Sequence, residues 1–116
     1  MVKIKICGIT SVEDALMCAE AGADYLGFVT EFPQPVPWNL SRKESLQIID
    51  KVRTRLSIVV VTSGTPNKIL QVARFTQPDF VQLHGEEKLL EIEKLAKELA
   101  EDNIKVIKFS INNKIL

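Results

Sequence analysis

The sequence predicts an α/β fold in which four strand-helix units are followed by a fifth strand, and three observations carry that prediction. Short apolar runs rich in β-branched residues recur at Ile4-Lys5-Ile6-Cys7, Tyr25-Leu26-Gly27-Phe28-Val29, Ser57-Ile58-Val59-Val60-Val61, Phe80-Val81-Gln82-Leu83 and Ile104-Lys105-Val106-Ile107-Lys108-Phe109. The segments between them have helical spacing and are long enough for crossover connections. The runs are also too apolar on both faces for a half-solvated antiparallel sheet, which points to parallel strands covered by helices.

The helix boundaries carry their own chemistry. Ser11-Val12-Glu13-Asp14 and Ser41-Arg42-Lys43-Glu44 resemble capping boxes, in which a serine oxygen accepts a bond from an N–H that the first turn leaves orphaned. The first helix presents Val12, Ala15, Leu16 and Ala19 on one side, and Gly22 stands where a left-handed helix stop is expected. A third helix opens near Pro66, a residue suited to the first turn, and buries Ile69, Leu70, Val72 and Ala73. The fourth spans roughly 86–100 with the stripe Leu89, Leu90, Ile92, Leu95, Ala96 and Leu99.

One connection differs from the rest. Glu31-Phe32-Pro33-Gln34-Pro35-Val36-Pro37-Trp38-Asn39 holds three of the five prolines and the only tryptophan, directly after the second strand. Prolines keep their neighbours extended, so this is a shaped loop. The strand-helix repeat runs straight through it, so residues 1–116 are read as one domain.

A β-α repeat fits either an open doubly wound sheet or part of a (β/α)8 barrel, and both place ligands at the C-terminal ends of the strands. The segments to search are therefore Cys7-Gly8-Ile9-Thr10, residues 30–39, Thr62-Ser63-Gly64, His84-Gly85-Glu86 and Ser110-Ile111-Asn112.

Composition narrows the function classes. The chain has 116 residues, 46% hydrophobic and 26% charged, with 15 basic side chains balancing 15 acidic ones. A chain of this length buries roughly two thirds of its unfolded surface, enough for a core without disulfides or metals. The charge balance argues against nucleic acid or an anionic membrane as partner, because such affinity comes from clustered Lys and Arg. No apolar stretch approaches the ~20 residues that span a bilayer, and Met1-Val2-Lys3-Ile4-Lys5 does not read as a signal peptide, so a cytoplasmic location is expected. Cys7 and Cys18 form neither a CxxC pair nor a disulfide framework, so reduced thiols are expected. There is no GxGxxG, Walker loop, HExxH or GxSxG, so dinucleotide, nucleotide, zinc-hydrolase and serine-hydrolase readings have no support. Charged stretches such as 86–88 and 91–98 read as solvated helix face.

Few residues at the strand ends can carry chemistry. Cys7 ends the first strand and precedes Gly8, whose tight turn leaves the thiol at the sheet's mouth near backbone N–H groups. A free thiol titrates near 8.5, and a helix N-terminus or cation brings it toward the working range of a general base. The same position also suits an inert buried thiol. Cys18, inside the first helix, is structural. His84, the only histidine, can hydrogen-bond a substrate, adjust a thiol or cap the next helix. Gln82 lies two residues earlier, so alternation places both on one face, with Val81 and Leu83 on the other. A polar Gln on an inner face points to a ligand.

Taken together, Lys5-Ile6-Cys7-Gly8-Ile9-Thr10 with Glu13-Asp14-Ala15, then Gly22-Ala23-Asp24 and Leu26-Gly27-Phe28, and later Val81-Gln82-Leu83-His84-Gly85-Glu86, resemble the phosphoribosylanthranilate isomerase family along the whole chain. The resemblance implies a (β/α)8 TIM barrel, of which these residues cover about the first four βα units plus the fifth strand: a partial TIM barrel. It implies a cofactor-free, metal-free isomerase of tryptophan biosynthesis acting on a small phosphorylated substrate. N-(5-phosphoribosyl)anthranilate becomes 1-(2-carboxyphenylamino)-1-deoxyribulose 5-phosphate by an Amadori rearrangement. It assigns Cys7 as the general base at the sugar C2 and an Asp after the sixth strand, outside this chain, as the general acid. Gln82 and His84 match pocket-lining positions.

The chain departs from the family in two ways. Where the family usually carries an Arg toward the anthranilate carboxylate, this loop offers Trp38 and Asn39, and an indole does not replace a guanidinium fork. Trp38 is then expected either to stack on the substrate ring, with Asn39 or Arg42 supplying polar contacts, or to cover the loop and the barrel rim. A complete barrel also takes roughly 200 residues or more, so the expectation is part of a longer enzyme, incomplete for catalysis alone. A half-barrel fragment and a short protein pairing with a second copy as a homodimer are the other readings. The alternative function is a non-catalytic half-barrel, or a flavodoxin-like small-ligand binding or interaction domain. Strand order separates the folds: 1-2-3-4-5 belongs to the barrel, and a first strand inside the sheet to the open fold.

Overall fold

The computed structural model describes residues 2–85 and 87–108. The elements are β1 Lys5–Cys7, α1 Val12–Glu20, β2 Tyr25–Val29, α2 Arg42–Val52, β3 Ser57–Thr62, α3 Pro66–Thr76, β4 Phe80–Leu83, α4 Leu89–Ala100 and β5 Lys105–Lys108. Every predicted strand and helix among them is present. The expected Phe109 end of the last strand, the Ser110-Ile111-Asn112 rim and Glu86 lie outside the described residues.

The caps work as the residue types dictate. Ser11 Oγ accepts from the Asp14 N–H, Thr65 Oγ1 from the Lys68 N–H, and Ser41 and Glu44 close a full capping box. Gly22, at φ +95°, turns the chain out of α1 in the left-handed region that glycine enters without strain. The stripe of α4 is shorter than its apolar run: Ile92, Leu95 and Leu99 are buried, whereas Leu89 and Leu90 are exposed. At 100° per residue Leu90 stands roughly 160° around the helix from Ile92, facing solvent, and Leu89 sits on the flank of the stripe.

All neighbouring strands pair in parallel, in the order β1-β2-β3-β4-β5. A strand order that follows the sequence excludes the flavodoxin-like alternative, in which the first strand would lie inside the sheet. Alternation then sorts the side chains. Leu26, Phe28, Ile58 and Val60 pack under α1 and α2 with Ala15, Ile48, Ile49 and Val52. Val81, Leu83 and Val106 pack against Ile69, Ala73, Ile92, Leu95 and Leu99 of α3 and α4. The opposite face carries Val29, Val59 and Val61 with Tyr25 and Phe80, and the Pro-rich loop folds Phe32 and Val36 onto it. That face is concave: Lys5 Nζ of β1 donates to Gln82 Oε1 of β4, across two intervening strands. A flat sheet would hold these strands about 14 Å apart, so the bond requires the curl of a barrel wall.

Candidate functional site

The chain turns sharply after β1, where Gly8 adopts φ +81° and Trp38 lies against its open side, the indole Cγ 3.8 Å from where a Cβ would stand. This contact ties the loop after β2 to the end of β1. Cys7 is exposed on the concave face, and its thiol rests over Gly27 of β2. A Cβ on Gly27 would stand 2.7 Å from Cys7 Sγ, so the glycine makes the space the thiol occupies.

Beside the thiol, the Pro-rich loop arches over the sheet and encloses a cavity of about 460 Å³ lined by Val29, Phe32, Gln34, Val36, Trp38, Val61, His84 and Gly85. The His84 ring meets the Phe32 ring edge-on, with centroids 5.9 Å apart, and the His84 backbone N–H donates to Thr62 O. The walls are apolar and aromatic, with Gln34 and His84 as polar side chains. Such a site suits a flat ring oriented by a few hydrogen bonds.

The loop is held from below. Asn39 Oδ1 accepts from the Phe32 N–H and its Nδ2 donates to Phe32 O, both at 2.9 Å. Glu31, at φ +46°, receives a bidentate pair from Arg42 at 2.8 and 3.0 Å and also the Arg42 backbone N–H. Those bonds hold the Glu31 carboxyl below the usual carboxylate range against the opposing effect of burial. Lys68 Nζ reaches up from α3 to Glu31 O, Ser63 O and Thr62 Oγ1, and burial pulls its ammonium below the ordinary lysine value despite the attraction of Glu31.

Of the five residues singled out from sequence, Trp38 and His84 line the cavity and Cys7 adjoins it through Gly8. Gln82 faces the concave side as alternation requires, with its carbonyl bonded to Lys5. Asn39 clamps the loop through both ends of its amide. Arg42, expected to offer a polar contact, has its fork committed to Glu31. Sequence reasoning marked residues 30–39 as a segment to search but did not single out Phe32, Gln34 and Val36 as cavity walls, and it missed Lys5 as the partner of Gln82. Alternation on β1 already placed Lys5 on the face of Cys7. Among the described residues no group of three His, Cys, Asp or Glu side chains is arranged to hold a metal ion, and no helix is long and apolar enough to cross a membrane.

A curled parallel sheet in sequential order, with its helices on the convex side and a loop-built cavity at the strand ends, defines four βα units and a fifth strand of a (β/α)8 barrel. The family model of N-(5'-phosphoribosyl)anthranilate isomerase matches residues 4–114, and the chain belongs to that family. It is 41% identical over 88 residues to the isomerase of Aquifex aeolicus, covering 75% of this chain and 42% of that one. It is 39% identical over 100 residues to that of Thermotoga petrophila, covering 85% and 48%. The crystal structure of a phosphoribosylanthranilate isomerase in complex with reduced 1-(o-carboxyphenylamino)-1-deoxyribulose 5-phosphate superposes with a TM-score of 0.81 at 40% identity, over 93% of this chain and 53% of that one. The enzyme of Thermotoga maritima gives a TM-score of 0.77 at 41% identity, over 93% and 50%. The chain thus spans about half the length of the relatives it matches.

Proposed function

We propose that this chain supplies the general-base half of a phosphoribosylanthranilate isomerase site and that Cys7 is the base. The observation that carries the reading is the placement of an exposed thiol at the end of β1, beside an aromatic cavity at the strand ends, in a chain of this family. The anthranilate ring lies in the cavity between Phe32 and Trp38, with His84 and Gln82 as polar contacts and Asn39 holding the loop that shapes the wall. Opening of the furanose requires a proton on the ring oxygen, delivered in this reading by an Asp outside these 116 residues. Cys7 thiolate then takes the proton from the sugar C2, and the resulting enolamine becomes the 1-deoxyribulose ketone. Atoms and electrons are conserved, because hydrogen moves within one molecule and no external oxidant is required. Base and acid on separate strand ends suit a reaction that handles two protons on different atoms. No cofactor enters this mechanism.

Support for a small phosphorylated ligand comes from the relative crystallised with a deoxyribulose 5-phosphate compound. We place the protein in the cytoplasm and read its assembly as a homodimer, a state named for the Thermotoga maritima enzyme. The test is Cys7→Ser in the barrel completed by its second half. Turnover of phosphoribosylanthranilate should fall at least 10²-fold, the lower range for loss of a general base, with the circular dichroism spectrum unchanged. Turnover near that of the parent would end the general-base assignment.

A further inference from the structure

Behind the cavity, on the side away from Cys7, the ends of β3, β4 and β5 meet at one carboxylate. Glu87, read from the sequence as part of a solvated helix face, lies instead in the loop between β4 and α4 with a side chain only 4% exposed, because the fold supplies it with Ser63 and Lys108 as partners. Its Oε1 accepts from Ser63 Oγ at 2.7 Å, and its Oε2 accepts from Lys108 Nζ at 2.8 Å. Lys108 also donates to Gly85 O. Ser63 Oγ lies against the Cα of Gly85 so closely that a Cβ there would stand 2.0 Å from it. Gly85 is therefore gripped on two sides, by Ser63 on its Cα and by Lys108 on its carbonyl, and Glu87 holds both gripping groups.

We propose that Glu87 is a positioning residue, which acts through Ser63, Lys108 and Gly85 to fix the peptide that aims His84 into the cavity. Gly85 and His84 are consecutive, and both line that cavity. A buried carboxylate has a desolvation cost that a solvated glutamate does not bear, and here two bonds that fasten the loop offset that cost. Burial alone would push the carboxyl up, and the bonds from Lys108 and Ser63 outweigh it and leave the group below the usual range. The ion pair is thus formed at neutral pH. The functional consequence rests on the reading of this cavity as the isomerase site, but the geometric part does not.

His84 is the only histidine in the chain, so its imidazole resonances report its placement in the purified protein without any substrate. Glu87→Gln retains an acceptor for Ser63 and removes the charge that holds Lys108. The imidazole signals should shift or broaden in Glu87→Gln and in Lys108→Met, and hold in Lys108→Arg, which keeps both a cation and the donors. In the barrel completed by its second half, affinity for reduced 1-(o-carboxyphenylamino)-1-deoxyribulose 5-phosphate should fall roughly 10- to 100-fold in Glu87→Gln, up to the size of loss that a 1 Å misplacement causes in a reaction rate. Ile92→Val, which trims the core under α4, is the control for general loosening. Signals and affinity that match the parent in Glu87→Gln, or that move equally in Ile92→Val, overturn the proposal. If Glu87→Gln does not fold, Ser63→Ala decides: a smaller shift of the same resonances supports the role and unchanged resonances refute it. Signals that shift in Glu87→Gln while the parent barrel, completed by its second half, binds no ribulose phosphate compound would retain the positioning role and remove the isomerase reading.

Discussion

Gly27→Ala tests directly whether the thiol of Cys7 sits where the structure puts it. In the middle of a strand, glycine costs roughly 0.5–1 kcal/mol relative to alanine through its backbone entropy, so an alanine free of contacts would stabilise the chain. Here the new methyl would stand 2.7 Å from Cys7 Sγ and 3.3 Å from Cys7 Cα. Heavy atoms in contact prefer about 3.5–4.0 Å, so the thiol must retreat by roughly 1 Å while the paired backbones of β1 and β2 shift by a few tenths. Such overpacking costs about 1–3 kcal/mol, which exceeds the entropic gain, and the expected result is net destabilisation. Urea unfolding reads the stability. Alkylation of Cys7 in a Cys18→Ser background reads the thiol, and its rate should change with the altered exposure. In the completed barrel a displacement of this size should lower turnover by on the order of 10²-fold. A Gly27→Ala chain that is more stable than the parent and alkylates at the same rate would refute the close approach of Cys7 to β2.

Three further outcomes follow from the packing and the electrostatics. Ser41→Ala removes the capping box of α2, and the urea midpoint should fall by an amount equivalent to about 0.5–2 kcal/mol. In α4, Leu99→Ala should cost about 2–5 kcal/mol, because Leu99 is fully buried, whereas Leu90→Lys should stay within about 0.5 kcal/mol. Equal effects of the two in thermal unfolding would contradict the facing of that helix. Glu31 and Glu87 are held below their ordinary pKa of 4.5 in the folded chain, so the unfolded chain binds more protons in acid. Their stabilisation is complete above that range and is lost as pH falls through the lower folded-state values. Urea midpoints should therefore decline on acidification below about pH 4.5, and less steeply in Glu87→Gln; a midpoint independent of pH there would contradict both ion pairs.

The local elements were legible in the sequence because their causes are local. Ser11, Ser41 and Thr65 satisfy N–H groups three residues away, Gly22 takes a conformation open to its own backbone, and β-branched runs between helical spacings mark parallel strands wherever they occur. The turn at Gly8 followed from the glycine's own backbone freedom, and the facing of Gln82 and His84 from alternation. The first turn of α4 was misread because an apolar pair at Leu89-Leu90 looks the same in composition whether or not the helix rotates it toward a neighbour.

The remaining features depend on contacts between residues far apart in the chain. Lys5 and Gln82, 77 residues apart, meet because the sheet curls, and the curl belongs to all five strands together. Lys68 reaches Glu31 across 37 residues, and Lys108 reaches Glu87 across 21. In the sequence Glu31, Arg42, Glu87 and Lys108 are ordinary charges of a balanced composition. Whether such a charge stays solvated or is buried in a pair depends on the desolvation and the partner that the fold supplies. The strand-helix order, the helix caps and the position of the thiol at a strand end are all readable from local residue pattern. The tertiary structure decided which side chains surround that thiol, because a cavity is made by elements that share no local pattern.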